Sequence, residues 1–166
     1  MELAIRLYPN PELRKRSAVV KRVTRATRDL IRDMARLMYR KHGAGLSAPQ
    51  VGVMERIIIM DDQSGEDAPL NPMAFINPVI TKRFGGQFTR TEGCLSLPGD
   101  YGPVKRAKKI VLHAFTMTGE EVNHTFTGMQ ACIVQHECDH LDGILFIDRS
   151  PKLKEEICSS YNRELS

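Results

Sequence analysis

The sequence predicts an α+β fold, with one domain over residues 1–166 and mostly antiparallel sheets wrapped around a central helix. Two observations predict it. A helical segment is followed by several short strand-like runs and then by further helices, which is an order of elements typical of α+β proteins. The chain of 166 residues also contains no repeat, linker or low-complexity tract, and its length suits one domain with its own core.

An amphipathic helix is predicted near the N-terminus, over residues 24–41. Apolar residues recur there at positions i, i+3, i+4 and i+7, while arginines and aspartates occupy the other face. Thr24 suits the N-cap, and Gly43 lies just past the end. The apolar stripe consists of Leu30, Ile31, Met34, Leu37 and Met38.

Two further helices are predicted, one over residues 128–141 that ends before Gly143 and a C-terminal one over residues 151–162. Runs rich in β-branched and aromatic residues predict strands between them. These runs cover residues 56–60, 74–81, 86–91, 109–115 and 121–126, with a hairpin turn at 118–120 and a polar loop at 61–72.

The composition favours a soluble protein of a reducing compartment, by default the cytoplasm. No apolar run approaches the ~20 residues of a membrane-spanning helix, and the N-terminus lacks the apolar core of a signal peptide. No membrane association is therefore expected. The cysteines are not spaced as a disulfide framework and include no CxxC pair. They are Cys94, Cys132, Cys138 and Cys158.

Charge is distributed unevenly along the chain. Residues 1–56 contain 13 Lys/Arg and 5 Asp/Glu, whereas the remaining 110 residues contain 11 and 15. The basic N-terminal part either faces an anionic partner such as RNA or is the solvated face of the first helix. No nucleic-acid motif decides between the two, and direct binding to DNA is not expected.

The strongest chemical signal is the segment His136-Glu137-Cys138-Asp139-His140. Residues i and i+4 lie on one face of a helix, so two imidazoles at this spacing can bind one metal ion. Glu137, beside the first histidine, can reach a water molecule on that ion. The alternative is a helix whose two histidines are hydrogen-bonded in the core.

A catalytic metal site needs a third protein ligand. The metalloprotease pattern expects a histidine where this chain has Phe146, which leaves Glu155, Glu156 and Glu164 as downstream alternatives. Cys94 is favoured over them because a thiolate is a strong ligand for transition metals. Taken alone, a cysteine in this context is more often a small buried residue.

The third motif is the glycine-rich segment 43–52, GAGLSAPQVG. Its glycines permit a close approach of another backbone. The amide of Gln50 can donate a hydrogen bond to a developing oxyanion. In isolation the segment resembles a loop after a helix.

Taken in order, GAGLSAPQ (43–50), EGCLS (92–96) and QHECDH (135–140) resemble the three signature motifs of the peptide deformylase family, G-x-G-x-A-A-P-Q, E-G-C-x-S and H-E-x-x-H. The resemblance spans almost the whole chain. It includes the opening IRLYPNPELRKRS, the segment INPVI and the closing FTGMQACIVQHECDHLDGILFIDR. Ser47 is one departure, because the family most often has Ala there.

The resemblance implies a metal-dependent hydrolase that removes the formyl group from N-formylmethionyl nascent peptides. One divalent metal ion per chain is implied, Fe²⁺ in the first place, with Zn²⁺, Ni²⁺ or Co²⁺ able to replace it. Its ligands would be Cys94, His136 and His140. Glu137 would move the proton of the attacking water, and Gln50 and the backbone N–H of Leu95 would donate to the oxyanion.

The resemblance also implies a set of substrate-binding residues. Gly43, Ala44, Gly45, Leu46 and Gly93 would bind the peptide backbone, the last four of these by pairing with it like an added strand. Cys132 and Ile133 would line the methionine pocket, together with His136 and Leu95. Glu92 and Arg106 would pair with each other near the ligands.

Partner and compartment follow from the same resemblance. The ribosome near its exit tunnel is an expected partner. The expected location is the bacterial cytoplasm, or an organelle if a presequence has been removed. Two alternatives stay open: an HExxH metallopeptidase, and a deformylase-like protein with altered catalysis.

Overall fold

The computed structural model describes residues 2–62 and 69–164, and its first α-helix is the predicted amphipathic helix. This helix, α1, covers Arg25–Arg40. Thr24 caps it, because its hydroxyl accepts a hydrogen bond from the Thr27 N–H at 3.2 Å. The helix terminates at His42, which is left-handed with φ 55°, one residue before the expected glycine. Gly43 instead donates its N–H to the Met38 carbonyl at 2.9 Å.

Five strands form one antiparallel sheet in the order β1-β2-β3-β4-β5. The α+β class and the antiparallel pairing are confirmed, with one continuous sheet in place of the several that were predicted. The strands are β1 Gly45–Ser47, β2 Ile57–Met60, β3 Met73–Cys94, β4 Leu97–Phe115 and β5 Glu121–Thr127.

The two long strands β3 and β4 correct the strand predictions. The runs predicted at 74–81 and 86–91 are parts of one strand, because Gly85 and Gly86 form a bulge between them. Both glycines have positive φ, 75° and 79°, and pairing resumes on either side. A glycine pair resembles a turn in sequence, so the prediction divided the strand there. Strand β4 begins at Leu97 rather than at 109. The prediction missed its first half because that half contains Pro, Gly and charged residues, which do not resemble a strand.

The glycine-rich segment 43–52 also differs from the predicted loop. It contains β1, paired with β2, and a 3-10 segment, Ala48–Val51. Three residues are too few to show a strand period.

The predicted turn at 118–120 is confirmed, since the Thr116 N–H donates to the Glu120 carbonyl at 2.9 Å. Part of the predicted loop 61–72, residues 63–68, lies outside the described residues.

Helices α1 and α2 lie against opposite faces of the sheet. Ile57 and Ile59 of β2 pack in a cluster with α1, while Ile58 and Met60 pack in a cluster with α2, Gly128–Leu141. Both faces of β2 are therefore buried, which explains its uninterrupted apolar sequence. A third cluster joins the 3-10 segment Phe146–Arg149 and α3, Pro151–Glu164, to the start of β4 and to a 3-10 segment, Pro11–Arg14. No helix among the described residues is long and apolar enough to cross a membrane.

Candidate metal centre

Three side chains from two distant segments bring their donor atoms together. His140 Nε2 lies 3.3 Å from His136 Nε2 and 3.4 Å from Cys94 Sγ. All three donor atoms lie within 4.8 Å of one another. Ligands that bind a tetrahedral metal at about 2.0–2.3 Å are themselves roughly 3.3–3.8 Å apart. The spacing and the chemistry of this set therefore fit one transition-metal ion.

The fold explains how these atoms meet. Cys94 is the last residue of β3, and the chain turns at once through Leu95 and Ser96 into β4. The two histidines lie four residues apart on α2, which places them on one face of that helix. Burial lowers the pKa of His140, and the neighbouring His136 lowers it further, so its imidazole stays neutral. A neutral imidazole is the form that binds a metal.

Glu137 lies beside the donor atoms in a dry environment. It is 4% exposed, and burial raises its pKa to about 7. Its Oε2 has no hydrogen-bond partner within the described part of the chain. A buried carboxylate oxygen of this kind is a rare feature that calls for an unseen partner such as water or a ligand. A carboxyl group that titrates near neutrality can both take up and release a proton.

Gln50 is held in one orientation by four hydrogen bonds. Its Oε1 accepts from the backbone N–H and the hydroxyl of Ser47, both at 3.0 Å. Its Nε2 donates to Ser96 Oγ at 3.2 Å and to Cys94 Sγ at 3.4 Å. Because the oxygen is occupied by Ser47, the NH₂ group must face Cys94. Gln50 is thus a fixed donor at the edge of the ligand set.

A chain of alternating charges, buried except at the exposed Arg149, supports His136. His136 Nδ1 donates to Glu92 Oε1 at 2.8 Å, and Arg106 donates to both oxygens of Glu92 at 2.8 Å. Arg106 Nη1 also reaches Asp139 Oδ2 at 2.6 Å, and Arg149 donates to both oxygens of Asp139. Burial alone would raise the pKa of Glu92, but the bonds from Arg106 and His136 outweigh it and lower the pKa to about 2.

Phe146 contacts His136 from the other side. The two rings stack with centroids 6.1 Å apart and planes 23° from parallel. Phe146 is 1% exposed. The residue at the metalloprotease ligand position therefore packs on a histidine and supplies no ligand. Glu155 and Glu156 lie exposed on α3, whereas the side chain of Glu164 lies outside the described residues.

A cavity of about 780 Å³ opens beside the donor atoms. Most of the residues expected to bind substrate line it: Gly43, Ala44, Gly45, Gly93, Leu95, Cys132 and Ile133. Leu46 does not line it, because its side chain is fully buried in the cluster between α1 and the sheet. Its predicted contact with substrate through the backbone stays a prediction. Leu7, Tyr101 and Met129 place exposed apolar side chains at the cavity wall.

Glycine is required at position 45 by a close approach. A Cβ added there would lie 2.6 Å from Glu137 Oε1 and 2.9 Å from Ile133 Cγ2. A real Cβ atom essentially never lies this close to another heavy atom, so a side chain at 45 must displace the carboxylate. The glycine of β1 thus sets the position of Glu137.

Sequence reasoning missed Arg149 and left the role of Asp139 open. The missing signal is spatial: Gly143, with φ 72°, reverses the chain so that Arg149 returns to α2. A Cβ at 143 would lie 2.3 Å from the Arg14 carbonyl oxygen, which explains the glycine. Glu92 and Arg106 were predicted as a pair near the ligands, whereas Asp139 was visible only as an acidic residue one position before the second histidine.

Residues 2–156 match the family model described as polypeptide deformylase. One relative, the peptide deformylase of Pseudothermotoga lettingae, is 44% identical over 147 residues, which are 89% of this chain and 82% of the relative.

Solved structures are similar as well. The peptide deformylase of Synechococcus elongatus, in complex with actinonin, has a TM-score of 0.87 and 34% identity, covering 95% of this chain and 87% of that one. A class I type b peptide deformylase of Acinetobacter baumannii, bound to Met-Ala-Ser, has a TM-score of 0.82 and 32% identity, covering 90% and 98%.

Proposed function

The chain belongs to the polypeptide deformylase family, and from this premise we propose that it hydrolyses the N-formyl group of N-formylmethionyl nascent peptides and releases formate. The observation that carries the proposal is the convergence of Cys94, His136 and His140 beside Glu137 in one cavity. The family is metal-dependent, and these three residues would hold one divalent ion. We propose Fe²⁺, with Zn²⁺, Ni²⁺ or Co²⁺ as substitutes that the same ligands suit.

The residues divide the reaction between them. When bound, the metal ion supplies Lewis-acid chemistry: it lowers the pKa of a water molecule and polarises the formyl carbonyl. Glu137 takes the proton from the attacking water as the new C–O bond forms, and it delivers that proton to the amine as the C–N bond breaks. Formate and a free N-terminal amine result. The raised pKa of Glu137, about 7, suits both transfers.

Gln50 and Leu95 act on the developing oxyanion. The Nε2 of Gln50 already points to the Cys94 side of the cavity, so it needs no rearrangement to donate. The backbone N–H of Leu95, in the turn after Cys94, is the second donor. Fixed donors of this kind each contribute about 3–4 kcal/mol to stabilising a transition state.

The walls of the cavity bind the peptide. Gly43, Ala44, Gly45, Leu46 and Gly93 would pair with its backbone, because β1 and the end of β3 border the cavity. Cys132, Ile133, His136 and Leu95 would surround the methionine side chain. We further propose that the reaction takes place in the bacterial cytoplasm, or in an organelle, near the exit tunnel of the ribosome.

The test uses protein purified without oxygen and loaded with Fe²⁺ or Ni²⁺, with N-formyl-Met-Ala-Ser as substrate. The parent releases formate; Glu137→Ala keeps its metal and loses activity; Cys94→Ala loses both. Retention of metal by the Cys94 variant would favour the HExxH metallopeptidase. A folded, metal-loaded parent that releases no formate would favour a deformylase-like protein with altered catalysis.

A further inference from the structure

The turn between α1 and β1 lies at the wall of the cavity and contains a residue in an unfavourable conformation. Lys41, His42, Gly43 and Ala44 all line that wall. His42 has a φ of 55°, a left-handed conformation that is unfavourable for a residue with a side chain. Such a conformation persists only where the surrounding contacts impose it. The contacts around this turn therefore decide the shape of a segment that is proposed to bind the peptide.

Two backbone hydrogen bonds hold this turn, one at each end. On the side of α1, the Gly43 N–H donates to the Met38 carbonyl at 2.9 Å. On the side of β2, the N–H of Asp61, the residue that follows this strand, donates to the Ala44 carbonyl at 2.9 Å. The segment 43–44 is thus tied to the helix through one residue and to the sheet through the next.

A side-chain hydrogen bond joins the helix and the sheet directly. Tyr39, in the last turn of α1, donates its hydroxyl to Asp61 Oδ2 at 2.6 Å. Burial raises the pKa of Tyr39, and the Asp61 carboxylate raises it further, so the phenol stays protonated and is the donor. The Asn71 N–H donates to the same carboxylate oxygen at 2.9 Å, which fixes its orientation. Asp61 is only 8% exposed, so water competes little for these bonds.

We propose that Tyr39 and Asp61 are positioning residues that order the segment 43–44 for the incoming peptide, an inference that rests on the proposed function. Their hydrogen bond joins α1 to the residue after β2, so the turn between them cannot shift without breaking a bond to a buried carboxylate. A segment that is ordered before the peptide binds need not lose conformational freedom on binding, which raises affinity.

The chemical step does not depend on this bond. Neither Tyr39 nor Asp61 lines the cavity. Gly45, which lies against Glu137, is held separately by its pairing with Met60 of β2. Loss of the bond therefore loosens the segment 43–44 and leaves Glu137 in place, so peptide binding is weakened while hydrolysis of the bound peptide continues.

The experiment measures kcat and KM of the Ni²⁺-loaded enzyme with N-formyl-Met-Ala-Ser. Tyr39→Phe removes the hydroxyl and leaves the bond between the Asp61 N–H and Ala44 in place. We expect KM to rise about tenfold with kcat within about twofold, as for a turn that is correctly ordered about a tenth of the time. The matched control is Tyr161→Phe, which removes a phenol hydrogen bond of 2.9 Å to the Tyr8 carbonyl, away from the cavity. Its KM should stay within about twofold of the parent by the same reasoning.

Substrate affinity is measured separately in the Glu137→Ala background, in which N-formyl-Met-Ala-Ser binds without being hydrolysed. Isothermal titration calorimetry gives Kd for this background and for its combinations with Tyr39→Phe and Asp61→Asn. Tyr39→Phe should raise Kd as it raises KM. Asp61→Asn should raise Kd less, because its amide oxygen can still accept from Tyr39. The melting temperature of each protein is recorded alongside.

A lower melting temperature with unchanged Kd would overturn the inference, because Tyr39 would then only stabilise the fold. A loss of kcat at constant KM would overturn it too, as would an equal rise of KM in Tyr161→Phe. A parent that binds the peptide without releasing formate would contradict the proposed function alone, since the Kd values of the variants still test the positioning role. A metal-loaded parent that neither binds nor hydrolyses the peptide would overturn both.

Discussion

Arg149 forms a bidentate ion pair with Asp139, with Nε 2.6 Å from Oδ2 and Nη2 2.8 Å from Oδ1. Asp139 is mostly buried and also accepts a hydrogen bond from Arg106, which in turn donates to Glu92. Glu92 receives the Nδ1 proton of His136. Arg149, which follows the turn at Gly143, is thus connected to His136, a proposed metal ligand, through the three fixed charges of Asp139, Arg106 and Glu92. The segment Phe146–Arg149 restrains His136 twice, by this chain and by the Phe146 ring.

Arg149→Met should weaken metal retention about tenfold, while the fold stays intact. Loss of the guanidinium leaves Asp139 dependent on Arg106 alone, and partners of ligand histidines typically contribute 10–100-fold to metal affinity. Arg149→Lys should recover only part of the loss, because an ammonium cannot bind both carboxylate oxygens. Competition with a chelator measures the affinity, and the melting temperature of the metal-free protein checks the fold. Equal affinity in all three proteins would refute the connection.

Gly45→Ala should reduce kcat about 100-fold or more with the metal retained. The new methyl group would overlap Glu137 Oε1 and Cγ and force the carboxylate from its position. Displacement of a catalytic group by about 1 Å costs on the order of 100-fold. Formate release and metal content are measured together. Parent-level kcat would show that Glu137 can relocate without loss, against the steric argument.

Gln50→Glu should lower kcat about 100-fold with little change in KM. The substitution keeps the shape of the side chain but replaces the NH₂ donor that faces Cys94 with an acceptor. Ser47→Ala is the matched control, since the Ser47 backbone N–H still fixes Gln50 Oε1 after the hydroxyl is removed. We expect that variant to stay within about fivefold of the parent, given the ~1 kcal/mol of one neutral hydrogen bond. Similar losses in both variants would contradict the assigned role of Gln50.

The candidate ligand set was predictable because its signal is local. His136 and His140 are four residues apart on one helix, and Cys94 lies in a short motif of its own. Helix α1 was predictable for the same reason, since its cap residue and its apolar stripe lie within a few turns, and the end of α2 was predictable from Gly143. The class of the fold followed from the order of these elements.

The remainder depended on contacts between distant segments. Strand β1 has three residues and is defined by its pairing with β2, which no local pattern shows. Arg149 reaches Asp139 only after the chain reverses at Gly143.

Asp148→Asn should destabilise the metal-free protein at neutral pH but not in strong acid. Arg14 Nη2 and Lys154 Nζ donate to Asp148 Oδ1 at 3.2 and 2.8 Å, and the Leu145 N–H donates to Oδ2 at 2.9 Å. Burial alone would raise the pKa of Asp148, but these bonds outweigh it and lower the pKa to about 2. A carboxyl whose pKa is lowered by folding stabilises the protein above its unfolded pKa of about 4, and this contribution disappears as the pH falls towards 2.

Because the Asp148 carboxyl is partly open to solvent, we expect its loss to lower the free energy of unfolding at pH 7 by about 1 kcal/mol. Urea titrations of parent and variant between about pH 7 and pH 2 measure the difference, in which the titration of Glu92 cancels because both proteins contain it. A difference that stays constant over this range would show that Asp148 acts by shape and not by charge.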